Sequence, residues 1–185
     1  MPQIIYFCRQ LDIKMSKKTD QKILNNLKSD SEAVVVSAIK ELRNKGNRHY
    51  INELVSLLRR TDKDVIKNEL LLLINDLCDN SVAPDIMTEI KDPVNSKIMG
   101  LLVSSCWQSR LNYADYFSDF VDIALTADYE TTIEAISVIE NILMNEGVDD
   151  LTISNELYKV KERISSCQPE KLLLIQELVK ILGKK

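Results

Sequence analysis

Helix start signals recur in this chain at a nearly fixed interval, and they do so in pairs. Segments of helical pattern cover about 17–28 and 31–46, 48–60 and 63–78, 82–91 and 93–109, 113–126 and 129–145, and 149–166 and 169–183. The second member of each pair starts near 31, 63, 93, 129 and 169, so the pattern repeats every 30 to 40 residues. An internal period of that size is the mark of a stacked repeat, in which each unit buries its apolar face only against its neighbours. Little else in the sequence competes with helix. Only four glycines and four prolines interrupt 185 residues. Asp92-Pro93 even favours a helix start, because proline's fixed φ suits the first helical position.

The second helices carry a shared local pattern. "AIKEL" places Ala38, Ile39 and Leu42 on one stripe, and "AISVI" places Ala135, Ile136 and Ile139 likewise. A small residue followed by two large ones lets neighbouring helices approach closely. "VVVSAIKELRNKGN" resembles the second helix of a HEAT repeat. The resemblance covers roughly residues 17–183. It implies an all-α fold, a right-handed α-solenoid of about five antiparallel helix pairs, HEAT/armadillo-like. It also implies a concave side built from the second helices, with Lys40, Glu41, Asn68, Asn75, Ser104, Gln108, Glu134, Ser137 and Asn141 as candidates to face it. Residues 1–16 have no partner repeat. They are expected to form an N-terminal extension to the repeat domain at 17–185, either poorly ordered or a short cap over the first helix.

Charge is unevenly placed. The net charge is −4. Residues 1–110 hold 17 Lys/Arg and 14 Asp/Glu, and residues 159–185 hold 7 and 3. Between them, residues 111–158 contain no Lys or Arg and eleven acids. A one-signed field of this kind attracts cationic partners and repels nucleic acid. Asp115, Asp119 and Asp122 follow i, i+4, i+7 spacing on the fourth pair's first helix, and Glu130 and Glu134 share a face of its second. These five acids are the expected docking surface for a protein partner with a basic segment.

Upstream of the acids lies "SSCWQSRLNYADYF", residues 104–117, with the single tryptophan of the chain. In helical register, Ile98, Leu102, Val103 and Cys106 form a buried stripe, and Trp107 sits one position further round. Leu111 tucks under the turn, Asn112 caps the next helix, and Phe117, Phe120 and Val121 face the core. Trp107 is expected to plug the joint between repeats three and four. Trp107, Arg110 and Tyr113 are also the residue types that anchor protein interfaces, and they join the five acids as candidate partner-binding residues.

Signals for chemistry are sparse. The one histidine, His49, stands at a helix entry, where a turn or capping role is expected. Cys8, Cys78, Cys106 and Cys167 form no CxxC pair, so free buried thiols are expected rather than zinc ligands. No glycine-rich phosphate loop occurs. The acids lack a calcium-loop spacing, and no Glu-x-x-His pair is present for a diiron site. No metal and no cofactor are expected. One enzyme class with a HEAT-like fold, the bacterial alkylpurine DNA glycosylases, would imply a basic groove. A pI near 5.2 argues against it. No apolar run reaches the ~20 residues that span a bilayer. The expected protein is a cytoplasmic, non-enzymatic interaction scaffold, with a self-assembling structural module, its basic ends pairing with the acidic middle, as a further alternative.

Overall fold

The structure is a computed structural model and describes residues 20–45, 48–145 and 147–184. The proposed extension at 1–16 lies outside the described residues. Among the described residues there are ten α-helices and no strand. They are α1 Gln21–Leu27, α2 Glu32–Lys45, α3 Ile51–Arg60, α4 Asp64–Asn75, α5 Ala83–Lys91, α6 Met99–Gln108, α7 Phe117–Thr126, α8 Tyr129–Met144, α9 Asp150–Arg163 and α10 Leu172–Leu182.

Aspartates start many of them. The first four N–H groups of a helix have no partner inside it, and a short acidic side chain supplies one. Asp20 accepts from the Lys22 N–H (2.9 Å), Asp128 from the Thr131 N–H (2.8 Å) and Asp149 from the Thr152 N–H (2.9 Å). Several helices open with a 3-10 turn instead. The longest is Pro93–Ile98, where Asp92 accepts from the Val94 N–H at 2.9 Å. The helix expected from residue 93 therefore becomes α-helical only at Met99.

One cap has a measurable consequence. The backbone hydrogen bond from Thr131 holds the Asp128 carboxyl below its usual value, against a smaller opposing effect of desolvation. A carboxylate depressed by folding adds stability above its unfolded pKa, and that stability is lost as pH falls through the folded pKa. Asp128→Asn keeps a cap without a titrating group. Its stability by urea denaturation should stay within about 1 kcal/mol of the parent at pH 7. It should fall less than the parent's between pH 5 and pH 2.

The helices pack in two layers. Successive second helices lie against each other, α2 on α4, α4 on α6, α6 on α8 and α8 on α10. In the other layer α3 meets α5 and α7 meets α9. Each pair also packs within itself, α1 on α2 through α9 on α10. One apolar core runs between the layers, and Leu58, Leu70, Leu102, Phe120, Ile139 and Ile175 are each at most 1% exposed. The close approach of α6 and α8 depends on Gly100. A Cβ there would stand 2.9 Å from the Thr131 hydroxyl oxygen. Ala38 and Ala135, the small residues of the shared motif, are buried at 1% and 0%.

The expected stripe of Ile98, Leu102, Val103 and Cys106 is buried, as are Leu111, Phe117, Phe120 and Val121. Asn112 accepts from the Ala114 N–H at 2.9 Å and so caps the turn into α7. Among the described residues the expectation of buried thiols holds for Cys106 alone, since Cys78 is exposed and Cys167 half-buried; Cys8 lies outside the described residues. No described helix is long and apolar enough to cross a membrane.

Candidate functional site

The fold divides the eight candidate residues into three groups. Asp119 and Asp122 lie on α7, in the first-helix layer, and each meets a lysine from an adjacent pair. Lys91 of α5 stands 2.8 Å from Asp119, with its ammonium also 6.0 Å from the Tyr116 ring centre. Lys159 of α9 stands 2.8 Å from Asp122 and 2.9 Å from Glu156, which is only 8% exposed. Desolvation pulls the Lys159 ammonium down, but the hydrogen bonds and charges of Asp122 and Glu156 outweigh it and hold it above the usual lysine value. These acids tie the first-helix layer together. Asp115, in the 3-10 turn Ala114–Tyr116, is exposed. The continuous acidic stripe expected along 115–122 is thus largely neutralised from within.

Tyr113 forms the second group, and the structure places it in the core. It is 4% exposed, with its ring edge-on to Phe120 at 5.8 Å and to Tyr116 at 6.4 Å. Burial and the neighbouring Cys106 push its hydroxyl pKa well upward. Burial likewise pushes the Cys106 thiol up to about 12, so it stays protonated and is a poor nucleophile. Arg110 sits at the rim of the same joint. It is exposed, its backbone N–H donates to the Leu77 carbonyl at 3.1 Å, and it lines a cleft of about 250 Å³ with Tyr113, Asn141 and Asn145.

The third group faces outward on the second-helix layer. Trp107 stands at the α6–α8 junction, but over it rather than inside it, being 40% exposed. Its indole N–H donates to the Glu134 carboxylate at 2.6 Å. Glu130 is exposed one turn earlier on α8. Asp119 and Asp122 therefore belong to one layer, and Trp107, Glu130 and Glu134 to the other.

Residues that sequence reasoning missed complete this outer face. Leu101 is 40% exposed, Ile133 40% and Tyr129 45%, and Leu72 on α4 is 52% exposed. On α8 these belong to the polar arc of the helix, with Glu130, Glu134, Ser137 and Asn141 around Ile133 at helical spacing. An apolar residue inside an otherwise polar arc was the available signal. Neither α6 nor α8 contains Lys or Arg. Polar side chains on this layer bridge the helices, Asn75 donating to Gln108 (2.8 Å) and Lys40 meeting Glu69 (3.3 Å), while Gln108 also donates to Ser104 within α6 (2.9 Å).

Among the described residues, no three His, Cys, Asp or Glu side chains gather where they could hold a metal ion. The outer face of α6 and α8 carries part-exposed aromatic and aliphatic side chains, Trp107, Tyr129, Leu101 and Ile133, together with the carboxylates of Glu130 and Glu134. No protein-family model, curated protein or solved structure matches this chain.

Proposed function

We propose that this chain is a non-enzymatic protein-interaction module, a right-handed HEAT-like solenoid of five helix pairs that recognises a basic and apolar segment of a protein partner. The observation that carries the reading is the outer face of α6 and α8. Leu101, Trp107, Tyr129 and Ile133 are each at least 40% exposed there, beside Glu130 and Glu134, on helices without a single cation. Tryptophan and tyrosine are the side chains that most often anchor interfaces. Carboxylates at the rim, on helices that carry no Lys or Arg, select the sign of the partner and speed its approach. The neighbour-on-neighbour packing of the second helices supports the solenoid arrangement, since it spreads such a face over several repeats. Within the acid-rich stretch the binding surface is α8, because the α7 carboxylates Asp119 and Asp122 are taken by Lys91 and Lys159.

Trp107 reports on its own site, as the only tryptophan in the chain. A synthetic amphipathic peptide of leucine and lysine is expected to give a saturable blue shift of its emission. A matched leucine and glutamate peptide is expected to give none. Joint Glu130→Lys and Glu134→Lys substitution should weaken the first binding by about 10–100-fold at low salt, with the circular dichroism spectrum unchanged. Asp115→Lys should leave it within about twofold, since Asp115 lies in the other layer. Equal affinity of the doubly reversed protein and the parent would sink this reading.

A further inference from the structure

We propose that the cleft between the C-terminal ends of α6 and α8 holds the terminal carboxylate of the partner segment, with Arg110 as its anchor. This rests on the reading that the α6–α8 face takes a basic and apolar segment, and it adds where that segment ends. The cleft has a volume of about 250 Å³. Tyr113, which is buried, lines it together with the exposed Arg110, Asn112, Asn141 and Asn145. Gly147 lines it as well, packed so closely on the turn into α7 that a Cβ there would stand 2.7 Å from the Ala114 Cβ.

The polar groups of this cleft are donors. Arg110 is the only Lys or Arg from residue 98 to residue 158. Among the described residues its guanidinium makes no hydrogen bond and no ion pair. The Asn112 side-chain oxygen accepts from the Ala114 N–H (2.9 Å), and that of Asn141 accepts from the Asn145 amide (3.4 Å). With its oxygen engaged, each of these two side chains has its NH2 left to offer. No Asp or Glu is among the described residues that line the cleft. Open carbonyls at a helix C-terminus would repel an anion, but here they are engaged. The Asn145 N–H donates to Asn141 (3.3 Å) and Ile142 (3.2 Å), and the Ser109 N–H to Ser105 (2.9 Å). A guanidinium beside amide donors suits a carboxylate, which arginine holds through two parallel N–H bonds.

Position within the face selects the source of that carboxylate. Asn141 continues the stripe of Glu130, Glu134 and Ser137 along α8 at helical spacing, so the cleft lies where the face ends. Glu134 and Glu130 stand roughly 10 Å and roughly 16 Å before Asn141 along the helix. An extended segment covers those distances in about three and about five residues. Lysines at those places and a free C-terminus at Arg110 therefore match the face together. An acidic side chain further back in the segment would meet Glu134 or Glu130 and be repelled.

The test uses the full chain and one leucine and lysine peptide in two forms, ending in a free carboxylate or in an amide, with lysines about three and about five residues before its end. The amide form is the more positive of the two, so the acidic face alone would favour it. The expected result is the reverse: the acid form binds about five- to tenfold more tightly, read from the emission of Trp107. Arg110→Gln should abolish this preference by weakening the acid form alone, with the circular dichroism spectrum and melting temperature unchanged. Equal binding of the two forms by the parent, or a preference for the amide, would overturn the carboxylate site and leave the interaction reading standing. A preference that survives Arg110→Gln would overturn it too, because another group would then read the carboxylate. An amidated peptide ending in glutamate that binds as tightly as the acid form would assign the cleft to a side chain and overturn the terminal placement. Binding of neither form would remove the interaction reading, and this site with it.

Discussion

Phe120→Ala is expected to lower the unfolding free energy by about 3–5 kcal/mol. Phe120 is fully buried in α7, at the meeting of the fourth pair's own two helices, and its ring lies 5.8 Å from that of Tyr113 at an interplanar angle of 88°. Edge-to-face aromatic pairs add about 0.5–1.5 kcal/mol to their area burial. Alanine removes both contributions and leaves a cavity that close-packed neighbours such as Phe117 and Ala124 cannot fill. Trp107→Ala is expected to cost clearly less, because 40% of Trp107 is already in water. Urea denaturation followed by far-ultraviolet circular dichroism measures both. Equal losses would show that Trp107 is a core residue after all, and would contradict its role on an open face.

This contrast marks where the sequence was legible. Helix positions were, because their determinants are local: Asp20, Asp128 and Asp149 cap their own helices within three residues. The core register of Leu102, Cys106, Phe117 and Phe120 followed from helical periodicity alone. The position of Trp107 at the joint between the third and fourth pairs also followed, but its exposure did not. A residue at the edge of a helical stripe is buried or open according to the neighbouring helix, and here Glu134 draws the indole N–H outward.

Charge pairing was illegible for the same reason. Asp119 and Asp122 read as an uninterrupted acidic face, since the nearest lysines in sequence lie outside the base-free stretch. Stacking brings Lys91 and Lys159 to them from the pairs on either side. Exposed pairs of this kind contribute only about 0–1 kcal/mol each. Their effect is rather on recognition, because they remove α7 from the surface that a cationic partner would meet. The lysine that begins the positive C-terminal stretch, Lys159, was the clue that the acidic run had a counter-charge at its border.

Asn95 was missed altogether, and its replacement should be the most damaging of the polar changes. It is fully buried in the 3-10 turn before α6. Its amide donates to the Glu89 carbonyl and the Glu89 carboxylate, both at 2.9 Å, and its oxygen accepts from the Arg59 guanidinium at 2.9 Å. Asn52 donates to the other Glu89 oxygen at 2.9 Å, so the cluster joins α3, α5 and the α6 entry. Asn95→Leu keeps the volume and removes all three bonds. Arg59 can turn to water and the Glu89 carbonyl keeps the Asp92 N–H at 3.3 Å, so the expected loss is that of the three bonds, about 1–3 kcal/mol. Asn95→Asp separates hydrogen bonding from shape. The carboxylate still accepts from Arg59, yet it cannot donate to Glu89 and places a second negative charge against it. Two facing carboxylates raise the pKa of one of them. A carboxyl whose folded pKa is raised contributes stability at low pH that is lost as pH rises through that value. Asn95→Asp should therefore be less stable than Asn95→Leu at pH 7 and regain part of the difference by pH 5, in contrast to the parent. A pH-independent gap between the two variants would mean that Glu89 swings away, and that the tie between the second and third pairs rests on Arg59 alone.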